Sequence, residues 1–206
     1  SCCAHHTERD AGLSQGGGGT DEMLAAALKY AADNQAKVLS NSWGGDGELS
    51  FTLKQAIDYA HNLKKCVVVF AAGNSSDDVA LYSPAGYRNV ITVAASDPRD
   101  EKCDFSNYGA GIDVSAPGGG SALDDGPNGP DTWQKGRNIL SLRAKGTDMY
   151  GDIDPEKGLP KGICLVPGFN ENALYYRSRG TSMACPFVSG VAALVLAKHP
   201  GYTPEQ

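Results

Sequence analysis

The sequence predicts an α/β fold built on a mainly parallel sheet. Short apolar runs rich in β-branched residues alternate with segments whose apolar residues recur at helical spacing, and glycine clusters separate many of them. Such alternation implies parallel strands joined by right-handed crossovers. At 206 residues the chain can bury the core of one domain, and no segment marks a boundary between two.

Each predicted element has its own local signal. The predicted helices show helical apolar spacing or an apolar run of helical length, and they are Thr20–Gln35, a helix starting at Ser50, and Val188–Ala197 with the residues just before it. The predicted strands are apolar runs, several of them bounded by turn residues, and they are Val38–Ser42, Val67–Ala71, Val90–Ala94, Ile112–Val114 and Ile139–Leu142. The segments 118–136 and 146–168 are rich in turn residues and are predicted to be loops, the second holding a hairpin.

Composition excludes several classes of function. The net charge is −6 with a pI of about 5.1, and no run of Lys or Arg suggests a nucleic-acid partner. No stretch reaches the ~18 apolar residues of a membrane span, so we expect none. Ser1–Asp10 contains no signal-peptide pattern, so any export signal is expected upstream.

Six cysteines are too sparse for a disulfide scaffold, and their spacing matches no zinc site. They are Cys2, Cys3, Cys66, Cys103, Cys164 and Cys185. Adjacent cysteines such as Cys2 and Cys3 are poorly placed to bridge each other. We therefore predict few or no disulfides.

Polar segments follow two of the predicted strands. Ser42–Gly44 ends the first strand, and Ala72–Asn74 ends the strand Val67–Ala71. Ligands of parallel sheets bind outside the carboxyl ends of the strands. The sequence therefore predicts that both segments belong to one shared site.

Ser182 is expected at the N-terminus of the last helix. Pro186 is tolerated in the first turn of a helix, which places Ser182 at its start. Unpaired N–H groups and the helix dipole favour negative charge there. Because the helix is apolar nearly all round, it is predicted to be buried. The alternative is that Ser182 or Thr181 only caps the helix.

Four segments together resemble a known family. Gly180–Gly190 closely resembles the nucleophile signature of the subtilisin-like serine proteases. The other three segments occur in the family's order. Leu39–Gly45 resembles its substrate-binding strand, and Val69–Asn74 resembles its oxyanion-asparagine strand. Phe105–Gly109 with Ile112–Gly118 resembles its linking segment. The resemblance implies a three-layer subtilisin-like fold with a mainly parallel sheet, and serine endopeptidase chemistry.

The resemblance assigns catalytic roles to two residues. Ser182 would attack the scissile carbonyl once a base takes its proton. The Asn74 side-chain amide and the Ser182 backbone N–H would donate to the tetrahedral oxyanion. Removing such a donor costs about 10²–10³ in rate, a magnitude measured in a subtilisin rather than calculated for this chain.

Substrate binding is assigned to the two polar segments. Ser42, Trp43 and Gly44 would pair with the extended backbone of a polypeptide substrate, and Ala71, Ala72 and Gly73 would form a wall of the specificity pocket. Gly44 and Gly73 would leave room for that close approach. For Trp43, simple packing in the core is the alternative.

The acid and base of the family are missing from this sequence. The family's Asp-Ser/Thr-Gly and His-Gly-Thr-His motifs belong upstream of the helix at Thr20, and Asp10–Gly12 is the nearest approach to the first. His5 and His6 are expected to be surface residues, and His61 and His199 structural ones. Residues 1–206 are therefore expected to be a partial peptidase domain without its N-terminal portion, inactive alone and able to pair with that portion. Another helix signal begins at the C-terminus and is cut short.

Two other functions compete with this interpretation. A pseudoprotease would keep the groove as a peptide-binding module and lack catalysis. An α/β-hydrolase esterase needs glycine at the position of Ala184, so we discount it. Export is expected from the family resemblance alone.

Three further expectations complete the interpretation. The resemblance predicts a cis peptide bond at Ser83-Pro84. The chemistry requires no cofactor, and Asp97 could join a weak cation site such as structural calcium, but a lone carboxylate is usually solvated, so we expect no metal. The long segments Gly119–Asn138 and Ala144–Arg177 are expected to flank the cleft.

Overall fold

A four-stranded parallel sheet forms the centre of the computed structural model, which describes residues 19–120, 138–142, 153–154, 159–160 and 175–206. Its strand order is β1-β3-β5-β6, and every neighbouring pair is parallel. The strands are β1 (Val38–Asn41), β3 (Val67–Ala71), β5 (Ile91–Ser96) and β6 (Val114–Pro117). The predicted parallel sheet is confirmed.

Helices cover both faces of this sheet. The helices are α1 (Asp21–Asp33), α2 (Phe51–Asp58, continued by a π-helical turn at Tyr59–Leu63) and α3 (Thr181–Lys198). Thr20 caps α1 and Ser50 caps α2, each by accepting a backbone N–H with its hydroxyl, as Ser and Thr do at helix starts. Both helix starts were predicted correctly.

The alternation of β3 side chains defines three layers. Val68 and Phe70 pack in a core with α1 and α2, whereas Val67, Val69 and Ala71 pack in a second core with α3. Successive side chains of a strand point to opposite faces, so a strand apolar at every position is buried on both sides. The three-layer α/β architecture predicted from the resemblance is confirmed.

Among the described residues, three antiparallel strand pairs lie outside the main sheet. They are β2 (Gly45–Asp46) with β4 (Tyr82–Ser83), β7 (Ile139–Leu142) with β10 (Tyr175–Ser178), and β8 (Ile153–Asp154) with β9 (Leu159–Pro160). The last pair confirms the hairpin predicted within residues 146–168. Most of the two long segments expected to flank the cleft lies outside the described residues.

Two strands start later than predicted, and β1 ends one residue before the predicted Ser42. The predicted strand Ile112–Val114 instead runs from Val114 to Pro117, because the N–H of Ile112 closes a turn onto Gly109. The strand predicted from Val90 begins at Ile91, because the N–H of Val90 bonds to the Tyr87 carbonyl. In both places the residue was predicted in the strand because it is apolar, but its N–H bonds within a turn instead.

The prediction that the last helix is buried is only half right. Ala184, Cys185 and Ser189 are buried against the sheet, but the opposite side exposes Phe187, Val191, Leu194 and Val195, with Leu194 at 73%. In the described part of the chain, these four side chains form an exposed apolar stripe along α3. The stripe has no covering layer there, and this explains why a helix apolar on all sides is not buried.

α3 is also long and apolar enough to cross a membrane by length and composition alone. Its 18 residues have a mean hydropathy of 1.5. One such helix is weak evidence for a span, since core helices pass the same test, and α3 packs on the sheet through the core it shares with β3. The absence of a membrane span stays a prediction.

Two local predictions are confirmed where the structure describes them. The Ser83-Pro84 peptide bond is cis. Cys66, Cys103 and Cys185 are buried, and their thiols donate to backbone carbonyls. Cys2, Cys3 and Cys164 lie outside the described residues.

Candidate active site

Ser182 is the second residue of α3, at the carboxyl edge of the sheet. Gly180 precedes the helix with φ +146°, a conformation that favours glycine, and its N–H bonds to the Gly118 carbonyl just after β6. Because the helix offers no acceptor to the N–H of its second residue, the Ser182 amide is one of the donors available at the helix start. The predicted placement of Ser182 is confirmed.

Asn74 meets the start of α3 through Thr181. The Asn74 Oδ1 atom accepts hydrogen bonds from the Thr181 N–H at 2.8 Å and the Thr181 hydroxyl at 3.0 Å. The same hydroxyl accepts the N–H of Gly73 at 3.1 Å. With Oδ1 taken by two donors, the amide orientation is set, and the NH₂ group of the exposed Asn74 is the end left for a ligand. The Asn74 side chain therefore lies at the start of α3, bonded to the residue that precedes Ser182.

Ser42 and Ser182 bond to each other at two points. The Ser42 hydroxyl donates to the Ser182 carbonyl at 2.8 Å, and the Ser182 hydroxyl lies 3.4 Å from the Ser42 carbonyl. This geometry joins the end of β1 directly to the residue predicted to be the nucleophile. The two polar segments predicted at the strand ends do converge on one site.

Pro186 was predicted in the first turn of the helix, and this is wrong. It is the sixth residue of α3, where a helical N–H would normally bond to the carbonyl four residues earlier. Proline has no N–H, so the Ser182 carbonyl loses that partner. The hydroxyl of Ser42 occupies its place.

Trp43 and Gly44 have mainly structural contacts. The Trp43 side chain is only 6% exposed and meets Phe70 edge-on, with ring centroids 4.8 Å apart. Simple packing, the alternative weighed for Trp43, describes its side chain. A Cβ at Gly44 would lie 3.0 Å from the Ser83 carbonyl, so this glycine admits the neighbouring chain of β4.

The segment Ala71–Gly73 lies deep beside Asn74. Ala71 and Ala72 are buried, and Gly73 is half-buried. Gly73 has φ +103°, and a Cβ there would lie 2.4 Å from the Nδ2 atom of Asn107. The space that Gly73 leaves is thus filled by a side chain of the protein itself, rather than by the substrate as the sequence suggested.

Sequence reasoning gave no role to Thr181 or Asn107, both of which contact the Asn74 segment. Thr181 was considered only as a helix cap, and Asn107 only as a member of the segment Phe105–Gly109. Each lies in a segment that resembles the family, but only the folded chain shows that Thr181 bonds to Asn74 and that Asn107 bonds to the residues around it.

Neither of the two described histidines lies at the start of α3. His61 lies on the turn before β3 with its Nδ1 atom 3.0 Å from Asn62, and His199 stacks on Tyr202 beyond the end of α3. Both positions fit the structural role expected for them. His5, His6 and Asp10–Gly12 lie outside the described residues.

Asp97 is buried in a local turn. Its carboxylate accepts the backbone N–H groups of Arg99 and Glu101 and pairs with the Arg99 guanidinium at 2.9 Å. Burial raises the pKa of Asp97, but these hydrogen bonds and the Arg99 charge outweigh it and hold the pKa below its ordinary value. In the described residues, Asp97 is part of an ion pair, and no cluster of three metal-ligand side chains is present there.

Cys185 lies one turn below Ser182 and is not a second nucleophile. Its thiol contacts the Asn41 carbonyl at 3.5 Å and the Ser40 hydroxyl at 3.8 Å inside the core. Burial raises the pKa of the Cys185 thiol, which keeps it protonated and unreactive.

Comparisons with known proteins agree with this geometry. The model of the subtilase family matches residues 10–206. The chain is 36% identical over 189 residues to fervidolysin from Fervidobacterium pennivorans, covering 90% of this chain and 23% of that protein. It is 37% identical over 193 residues to an extracellular protease from Xanthomonas campestris, covering 89% of this chain and 27% of that protein.

A solved structure of a protease from Pseudoalteromonas arctica PAMC 21717 superposes with a TM-score of 0.69 at 30% identity, covering 91% of this chain and 50% of that one. The chain therefore spans about half of the solved protein and about a quarter of the two curated relatives. Family match, sequence relatives and fold agree, and the chain belongs to the subtilase family.

Proposed function

We propose that this chain supplies the nucleophile and the oxyanion hole of a serine endopeptidase that hydrolyses peptide bonds through an acyl-enzyme on Ser182. One observation carries the proposal. Ser182 begins α3 beside an Asn74 amide whose oxygen is taken by Thr181, so the amide nitrogen and the helix N-terminus are both donors at one edge of the sheet.

The chemistry follows from these groups. A base removes the proton of the Ser182 hydroxyl as its oxygen attacks the scissile carbonyl. The carbonyl oxygen becomes an oxyanion, which the Asn74 NH₂ group and the Ser182 N–H stabilise. The protonated base then gives that proton to the leaving nitrogen, so collapse expels the amine and leaves the acyl group on Ser182. Water, deprotonated by the same base, attacks the acyl group, and the Ser182 oxygen leaves and takes back the proton.

The substrate is a polypeptide in extended form. The segment Ser42–Gly44 follows β1 at the edge of the described sheet, where a backbone can be added by strand pairing. The Ser42 carbonyl lies 3.4 Å from the Ser182 hydroxyl, so a chain bound along this segment passes close to the nucleophile.

The base and its orienting carboxylate come from an N-terminal part of the same peptidase domain. The chain spans about half of a solved subtilase, and α3 carries its exposed apolar stripe immediately after the site. Such a stripe needs a covering layer, and the part of the domain that carries the base must lie close to Ser182. We therefore propose that the N-terminal part packs on the stripe. Because the chain alone leaves the stripe exposed, we expect it to self-associate or to be marginally stable.

Hydrolysis through Ser182 needs no cofactor, and the net charge of −6 favours no nucleic-acid partner. Secretion is proposed because the relative from Xanthomonas campestris is an extracellular protease.

The test compares this chain alone with the full protease that contains it. Each is treated with a fluorophosphonate probe and a fluorogenic peptide, with Ser182→Ala as the control. We expect labelling and hydrolysis only in the full protease with Ser182 intact. Strong labelling of the chain alone would place a base within residues 1–206, and no labelling in either form would favour the pseudoprotease.

A further inference from the structure

Asn107 lies beneath the loop that carries Asn74. It belongs to the segment between β5 and β6, and its side chain has no exposed surface. A fully buried amide must find hydrogen-bond partners, because an unpaired one costs about 1–3 kcal/mol. The partners that Asn107 finds all belong to the residues around Asn74.

Three side-chain hydrogen bonds from Asn107 bracket Asn74 on both sides. Its Oδ1 atom accepts the N–H of Ser75 at 2.9 Å and the N–H of Asp77 at 3.2 Å. Its Nδ2 atom donates to the carbonyl of Ala72 at 2.9 Å. The amide is thus used at both ends, which fixes its orientation and the loop it holds.

Backbone contacts continue the same clamp. The Asn107 N–H donates to the Gly73 carbonyl at 3.0 Å, and the Tyr108 N–H donates to the Asp77 carbonyl at 3.0 Å. Gly73 has φ +103° and lacks the Cβ that would lie 2.4 Å from Asn107 Nδ2. Gly73 and Asn107 are therefore a matched pair, since the amide occupies the space that a side chain at residue 73 would need.

We propose that Asn107 is a positioning residue for the oxyanion hole, holding residues 72–77 so that the Asn74 NH₂ group meets the developing oxyanion. Thr181 fixes the side chain of Asn74, and Asn107 fixes its backbone. Asn107 is buried and does not touch the substrate, so it acts through Asn74. This assignment rests on the proposed peptidase function.

A kinetic double-mutant cycle in the full protease tests this coupling. Since a displacement of about 1 Å can cost about 10² in rate, Asn107→Ala is expected to lower kcat about tenfold to a hundredfold, with KM changed less than about threefold. In an Asn74→Ala background the same change is expected to cost less than about threefold, because the group it positions is gone.

The matched control is Asn89→Ala. Asn89 lies outside the site and donates a 2.6 Å hydrogen bond to Asp58. The kcat of this variant is expected to stay unchanged. Asn107→Asp keeps both accepted bonds but replaces the donor that faces the Ala72 carbonyl with a carboxylate oxygen, which that carbonyl repels. It is also expected to lower kcat, with the same dependence on Asn74. Equal losses with and without Asn74 would overturn the proposal and leave Asn107 a purely structural residue.

A second measurement does not depend on catalysis. In ¹⁵N spectra of the full protease carrying Ser182→Ala to prevent self-digestion, Asn107→Asp is expected to shift or broaden the side-chain NH₂ signals of Asn74, and Asn89→Ala is expected to leave them in place. Unchanged Asn74 signals would overturn the positioning role. Shifted signals in a protein whose full form hydrolyses nothing would refute the peptidase function and still support the contact between Asn107 and the Asn74 loop.

Discussion

The hydroxyl of Ser42 donates a 2.8 Å hydrogen bond to the carbonyl of Ser182. That carbonyl is free because Pro186, four residues along α3, has no N–H to offer. The end of β1 therefore completes the hydrogen bonding of the helix start and fixes the distance between Ser42 and Ser182.

Ser42→Ala is expected to lower the free energy of unfolding by about 1–3 kcal/mol, because it leaves the Ser182 carbonyl without its donor. In a Pro186→Ala background the cost should fall, since residue 186 then has an N–H for that carbonyl. Urea unfolding of the four forms, each also carrying Ser182→Ala to prevent self-digestion, measures the coupling. Equal costs in both backgrounds would contradict this account of Pro186.

The sequence predicted the elements whose signals are local. Val67–Ala71 was predicted at its observed bounds because a continuous apolar run leaves no ambiguity about a strand buried on both faces. Ser182 was predicted at the start of α3 correctly, although Pro186 lies beyond the first turn that the prediction gave it. These features depend on residues near one another in the chain.

Features that depend on distant contacts were missed. The bonds from Asn107 to residues 72–77 join segments about 30 residues apart, and no local pattern shows which face a loop asparagine turns inward. The stripe on α3 was expected to be buried because the helix sequence is apolar nearly all round. Apolar character in the sequence does not show which element covers a helix face.

Gly73→Ala is expected to destabilise the protein more than Gly47→Ala does. Both glycines have positive φ, +103° and +99°, so an alanine at either one carries a backbone strain of about 1–2 kcal/mol. At Gly47 the new Cβ meets nothing within 4 Å, whereas at Gly73 it collides with Asn107. The free energies of unfolding of the two variants, measured by thermal unfolding, should differ by at least about 1 kcal/mol. Equal losses of stability would refute the matched packing of Gly73 and Asn107.

Gly190→Ala tests the proposed covering of α3. A glycine inside a helix costs about 0.5–1 kcal/mol relative to alanine, and a Cβ at Gly190 meets nothing within 4 Å, so the chain alone should become more stable. If the N-terminal part packs on this face, the added methyl group should weaken its binding by about 1–3 kcal/mol.

Titration of the chain with a separately expressed N-terminal part measures that binding. Gly201→Ala, beyond the helix and also in open space, is the control expected to change neither quantity. Undiminished binding by the Gly190 variant would mean that the face is left uncovered.

Asp97 should make the protein sensitive to acid. Its pKa is lowered in the folded chain despite burial, because Arg99 and two backbone N–H groups stabilise the carboxylate. A carboxylate with a lowered pKa stabilises the fold at any pH above its pKa in the unfolded chain, which is about 4. This stabilisation is lost as the pH falls through the pKa in the folded chain.

As the pH is lowered from about 6 to about 2, the free energy of unfolding should therefore fall more steeply for the wild type than for Asp97→Asn. The control is Asp77→Asn, which changes a carboxylate that is not buried. Parallel curves for the wild type and the Asp97 variant would contradict the assigned pKa direction.

Trapping the acyl-enzyme tests the central claim most directly. The full protease is mixed with an activated peptide ester, quenched in acid during turnover, digested and analysed by mass spectrometry. The account predicts one acyl group on the peptide that contains Ser182, and none in the Ser182→Ala variant. An acyl group on another residue, or undiminished hydrolysis by Ser182→Ala, would contradict it.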